Sequence, residues 1–170
     1  MNPDSPSGDQ EGPFVMRSIA SMFLGVLVLC SCTARSDDFD LGQVERGGTF
    51  DCTHTLGYWK THSALETKKS LRHPWPISES TLMCGETWYD ILHAPPEGDP
   101  ATILAHQWIA AALNWGSGAQ MPADIEALVA EGNWYLNDCA LDEYYDERMI
   151  EVAEALDAYN NGLAGVAHCD

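Results

Sequence analysis

Leu141, Tyr145, Met149, Val152, Leu156 and Tyr159 recur at successive steps of 4, 4, 3, 4 and 3 residues. A repeat close to 3.6 brings all six to one side of an α-helix, so this stretch is predicted as an amphipathic helix. Asp142, Glu143, Asp146, Glu147, Glu151, Glu154 and Asp157 fill the rest of its surface as a solvated acidic face. Asn160, Asn161 and Gly162 supply its end. A second helix is announced by Asp99, a capping residue, followed by Pro100 at the first helical position. Leu104, Trp108, Ala111 and Trp115 then mark one buried face, and Gly116 closes the run. Pro122 opens a third stretch, with Ile125, Leu128 and Val129 on its face and Gly132 clouding its end. A shorter helix is expected over residues 86–92, stopped by Pro95 and Pro96. No alternating run is long enough to predict a sheet. The expected fold is all-α, with long Gly- and Pro-rich connections.

Ahead of this helical part lies a different kind of segment. Residues 19–30 are almost uninterruptedly apolar, yet far short of the ~20 residues a spanning helix needs. Arg17 precedes them, and Met16 before it is the expected true start, because residues 1–15 carry Asp4, Asp9 and Glu11 but no basic residue. A basic residue, a short apolar core and small residues after it form the pattern of an export signal. Leu29, Cys30, Ser31 and Cys32 resemble the lipobox of bacterial lipoproteins, which implies cleavage after Ser31 and acylation of Cys32. Residues 1–31 are thus expected as signal and 32–49 as a lipidated tether. If flexible, that tether has a root-mean-square span of roughly 20–25 Å. The folded domain is expected over residues 50–170.

The chain of 170 residues carries 8 Lys and Arg against 26 Asp and Glu, a formal net charge of -18. So acidic a balance argues against nucleic acid, and against an anionic membrane, as partners. Membrane attachment is expected through the lipid anchor only. The 45% hydrophobic content is that of a globular chain.

Three segments carry a family resemblance. Residues 52–62 read C-T-H-T-L-G-Y-W-K-T-H, residues 103–114 read I-L-A-H-Q-W-I-A-A-A-L-N, and residues 156–169 read L-D-A-Y-N-N-G-L-A-G-V-A-H-C. In this order they resemble a group of secreted or surface bacterial domains with the motif C-T-x-T-x-G-[YF]-W-K-x-H. The resemblance spans residues 52–169 and implies location and architecture, with no reaction attached. The tail departs from the group's usual G-P-G-H-C, having Gly165, Val166, Ala167, His168 and Cys169 instead.

Beyond Cys32 the cysteines are Cys52, Cys84, Cys139 and Cys169. An even count in an exported chain reads as disulfides, and four cysteines allow three connectivities. Because Cys52 and Cys169 stand at opposite ends of the resemblance, it implies that they pair and close a small disulfide-stapled domain, leaving Cys84 for Cys139. A zinc site is the rival reading, disfavoured by the lack of any C-x-x-C among the four. A catalytic thiol at Cys84 ranks below both.

Tryptophans, histidines and acids are the remaining carriers of chemistry. Trp108 shares the Leu104 face and is expected in the core, and His106, on the same helix, reads as a satisfied structural histidine. Trp59, Trp75, Trp88, Trp115 and Trp134 could form a stacking platform for sugars, although packed tryptophans are commoner. His54, His62 and His168 are candidate metal ligands, since a Cys52–Cys169 bridge would draw His54 and His168 together. Asp51 or Asp170 could then add an oxygen. No EF-hand loop is present, so that form of calcium binding is excluded. Metalloprotease, nucleophile-elbow, P-loop and dinucleotide signatures are also missing. The expectation leans away from an enzyme and implies no cofactor. It is a non-catalytic exported lipoprotein domain, a binding or structural module for an unknown envelope or extracellular ligand. It would be held at a bacterial outer membrane or cell surface. The alternatives are a glycosidase-like hydrolase of extracellular polymer, using unidentified carboxylates, and a histidine-based metal-binding domain.

Overall fold

The structure, a computed structural model, describes residues 51–137 and 145–169. The signal, Cys32 and the tether lie outside the described residues, as do Cys139, Leu141 and Asp170. The described residues are mostly helical, as the apolar periodicities predict. They hold five α-helices: α1 Leu56–Thr61, α2 Trp88–His93, α3 Pro100–Gly116, α4 Ala123–Asn137 and α5 Asp146–Asn160.

Short polar side chains start three of them. Thr55 accepts the Tyr58 N–H at α1, Thr87 the Asp90 N–H at α2, and Asp99 the Thr102 N–H at α3. The predicted α3 begins where Asp99 and Pro100 place it. Its burial departs from a single face, because Leu104, Ala105, His106 and all residues from Trp108 to Asn114 are buried. It is the central helix, packed by α1, α2, α4 and α5, and so is apolar nearly all round. Trp115, expected on the buried face, is only half-buried at its end.

Gly132 does not end the third predicted stretch; α4 runs on to Asn137. A Cβ at Gly132 would lie 2.9 Å from Trp108 Cδ1, so the glycine is where α3 and α4 come together. Trp108 spans the same contact by donating its indole N–H to the Val129 carbonyl at 2.8 Å. On α5, Met149, Val152, Leu156 and Tyr159 are buried as their spacing requires, with Glu147, Glu151, Glu154 and Asp157 exposed.

The helix expected over residues 86–92 begins two residues later. Glu86 and Thr87 instead form a short strand, β2, antiparallel to β1 at Leu82–Met83. Cys84 and Gly85 turn between them with φ of 53° and 84°, the positive pair that a tight hairpin turn uses. This hairpin is a small exception to the helical expectation.

α5 ends as its sequence predicts. Gly162, at φ 72°, lets the Gly162 N–H reach the Tyr159 carbonyl and the Leu163 N–H reach the Ala158 carbonyl. The chain then turns back beside Gly162 so closely that a Cβ there would stand 2.4 Å from the His168 nitrogen.

Candidate functional site

That return brings the final segment to the first. Cys52 and Cys169 form a disulfide, with their Cα atoms 5.1 Å apart. Beside it the Thr53 N–H donates to the Ala167 carbonyl and the Cys169 N–H to the Thr53 carbonyl, both at 2.9 Å. The two chain segments thus run parallel for one bridge, Thr53 opposite His168. Closure of the domain through Cys52 and Cys169 is as the family resemblance implies.

The next residue, His54, is held by a buried side chain. Asn114, fully buried near the end of α3, accepts the His54 N–H at 2.8 Å and donates to the His54 carbonyl at 2.9 Å. Its oxygen also accepts the Trp59 indole N–H at 3.2 Å, and its nitrogen donates to Asn160 Oδ1 at 2.9 Å. Asn160, equally buried, donates in turn to the Gln107 carbonyl and to Gln107 Oε1. Every donor and acceptor of the Asn114 amide is used. The three segments that carry the resemblance meet in this one network: His54 and Trp59 from the first, Gln107 and Asn114 from the second, Asn160 from the third.

Outside the network stands an aromatic column. His54, Tyr58 and His62 are four residues apart around α1, and their rings stack with centroid distances of 3.8 Å and 4.2 Å, each pair within 9° of parallel. His62 and His73 follow at 5.7 Å. The His54 imidazole titrates below its usual 6.5, chiefly because it is partly buried and secondarily because His168 and His62 repel its charged form. Burial likewise raises the Tyr58 hydroxyl above 10.

The bridge brings His54 and His168 to neighbouring chain positions, as expected, but the metal trio is not assembled. The Tyr58 ring lies between the imidazoles of His54 and His62, whereas one ion needs both nitrogens within about 2.0–2.1 Å of it. Among the described residues, no group of three His, Cys, Asp or Glu side chains is placed to hold a metal. Asp51 is exposed, and Asp170 lies outside the described residues.

Cys84 is disulfide-bonded, which removes it as a catalytic thiol. Its sulfur lies 3.3 Å from the carbonyl oxygen of Leu136, three residues before Cys139. The Cys84–Cys139 pairing stays a proposal, since Cys139 lies outside the described residues.

The tryptophans do not form a platform. Trp59, Trp75 and Trp88 are buried with Trp108, Trp115 is half-buried, and Trp134 exposes 56% of its surface. His106 is buried and structural, its Nε2–H reaching the Ile91 carbonyl at 2.7 Å.

A cleft of about 230 Å³ opens between the hairpin, α2, α3 and α4, lined by Met83, Ile91, Ala105 and Leu136 among others. Glu86 is the one carboxylate in its lining. The facing pair that a glycosidase needs, about 5–10 Å apart, is not brought together there. Among the described residues no helix is long and apolar enough to cross a membrane.

Comparison with family profiles, curated proteins and solved structures found no match to this chain. The motif resemblance therefore stands as a proposal, carried by its own three segments.

Proposed function

We propose that the chain is an exported, non-catalytic domain tethered to a bacterial cell envelope by a lipid on Cys32, acting as a binding or structural module. The observation that carries the reading is the Cys52–Cys169 disulfide, because such bonds form and persist in oxidising compartments. It joins a signal-like apolar segment and a lipobox-like cysteine in the same sequence. The resemblance to secreted and surface domains points the same way. The aromatic column and the apolar cleft are surfaces for an envelope or extracellular ligand, while the buried amides serve the fold. The hydrolase reading draws no support from the cleft, where Glu86 lacks a second carboxylate.

The test is metabolic labelling with a fatty acid in a bacterial host. Wild-type protein should take up label and fractionate with membranes, and Cys32→Ser should lose the label and change its processing. Wild-type protein that takes up no label and fractionates wholly as soluble would overturn the anchor.

A further inference from the structure

The charge of this chain is unevenly placed. Beyond residue 50 the Lys and Arg residues are Lys60, Lys68, Lys69, Arg72 and Arg148, so all but the last fall within residues 60–72. Arg148 is engaged on both sides, by Glu131 and Glu151. Lys68, Lys69 and Arg72 are exposed, and among the described residues no carboxylate forms an ion pair with them. The two acids of this region face other groups. Glu66 stands 3.9 Å from His93 Nε2, and Glu79 accepts the backbone N–H groups of Ala64 and Trp75.

The three cations sit on one loop. A 3₁₀ turn over Lys69–Leu71 curls it, and Arg72 Nε donates back to the Glu66 carbonyl. His73 continues the loop toward His62. On the same loop Leu65 exposes 57% of its surface.

We infer that residues 65–73 are a docking surface for an anionic lipid bilayer. Lys68, Lys69 and Arg72 would meet headgroup phosphates while Leu65 enters the interfacial layer. The exposed leucine is what favours a bilayer over a soluble phosphate, which offers no apolar phase for it. The net charge of -18 does not prevent this contact. Charges more than a Debye length away, about 8 Å at physiological salt, are largely screened, so the loop's own charges dominate at close approach. The inference rests on the envelope anchoring proposed above for its setting, since a tether from Cys32 would keep the loop near a membrane.

The test compares partition of the full-length protein into vesicles of phosphatidylcholine with partition into vesicles containing 30% phosphatidylglycerol. Any acyl chain or apolar leader core binds both alike, and the charges outside the loop, Arg17, Arg35 and Arg46 among them, are the same in the wild type and the triple variant. Each Lys or Arg near an anionic surface is worth roughly fivefold in partition, so the ratio should be at least about tenfold at physiological ionic strength, where the distant acidic residues are screened. It should fall toward one at high salt and in Lys68→Ala/Lys69→Ala/Arg72→Ala. Leu65→Ser should weaken partition into both vesicles, and Arg148→Ala should leave the ratio unchanged. A wild-type ratio of one, or a ratio that survives the triple substitution, overturns the inference. So does equally tight, loop-dependent binding of inorganic polyphosphate without vesicles, which would assign the loop to a soluble polyanion. Absence of fatty-acid label on the wild-type chain would remove the anchor and leave this ratio standing.

Discussion

Asn114 sits in the apolar run of α3 and bonds four groups on two other segments. Replacing it by alanine strands the His54 backbone, the Trp59 indole and Asn160 in a dry environment, where each unpaired group costs about 1–3 kcal/mol. Asn114→Ala should therefore lose about 3 kcal/mol in urea unfolding followed by tryptophan fluorescence, and a loss under about 1 kcal/mol would contradict the network. His106 gives a pH signature. Burial holds its pKa below 6.5, the Ile91 hydrogen bond restores only part of the loss, and Lys60 and His93 push it further down. Above pH 6.5 the folded and unfolded forms are both neutral there, so this residue adds no pH dependence. As pH falls from 6.5 toward the folded pKa, the unfolded chain takes the proton first and stability drops, by up to ~1.4 kcal/mol per pH unit. His54 acts in the same direction. The urea midpoint should be level from pH 8 to 7 and decline below 6.5, less steeply in His106→Gln. Little of this is legible in sequence. A histidine beside Leu104 and Trp108 reads as structural, but an asparagine in a helix gives no sign of which distant backbone it will hold.

Helices with one wet face are legible, and helices without one are not. Four core positions of α5 follow from apolar spacing alone, because its other side is crowded with carboxylates. α3 has the same spacing but is packed on nearly every side, so its periodicity understates its burial and misplaces Trp115. α1, only six residues long, carries too little pattern to be predicted, and its register comes from Thr55 at the cap and Trp59 in the core. Gly132 shows the same limit from the other side. In sequence it reads as a breaker; in the fold it is the notch that admits Trp108. Gly132→Ala should force Trp108 out of place and lower stability by about 1–3 kcal/mol, despite alanine's better helix propensity. A gain in thermal midpoint would show that the two helices can separate without cost.

For the whole molecule the decisive feature is that the two ends of the domain meet. Cys52 and Cys169 are 117 residues apart in sequence, and tying such distant points restricts the unfolded chain, worth about 2–5 kcal/mol for a native bridge. Cys52→Ala/Cys169→Ala should lower the unfolding free energy from urea denaturation by that amount, with a correspondingly lower midpoint. Non-reducing mass spectrometry of wild type should show the two cysteine peptides as one species, and free thiols at both would refute the bond. The helical class, the cap at Asp99, the stop at Gly162 and the acidic face of α5 were determined by sequence alone, since each depends on neighbours within one or two turns. Which buried groups pair across the domain was decided only by tertiary structure. Asn114 meets His54 and Asn160, and Tyr58 separates the two histidines that spacing offers as metal ligands. The physical reason is the same in each case. Local periodicity fixes the direction a side chain leaves its own helix, whereas the partner waiting there is set by how two segments, remote in sequence, pack around α3.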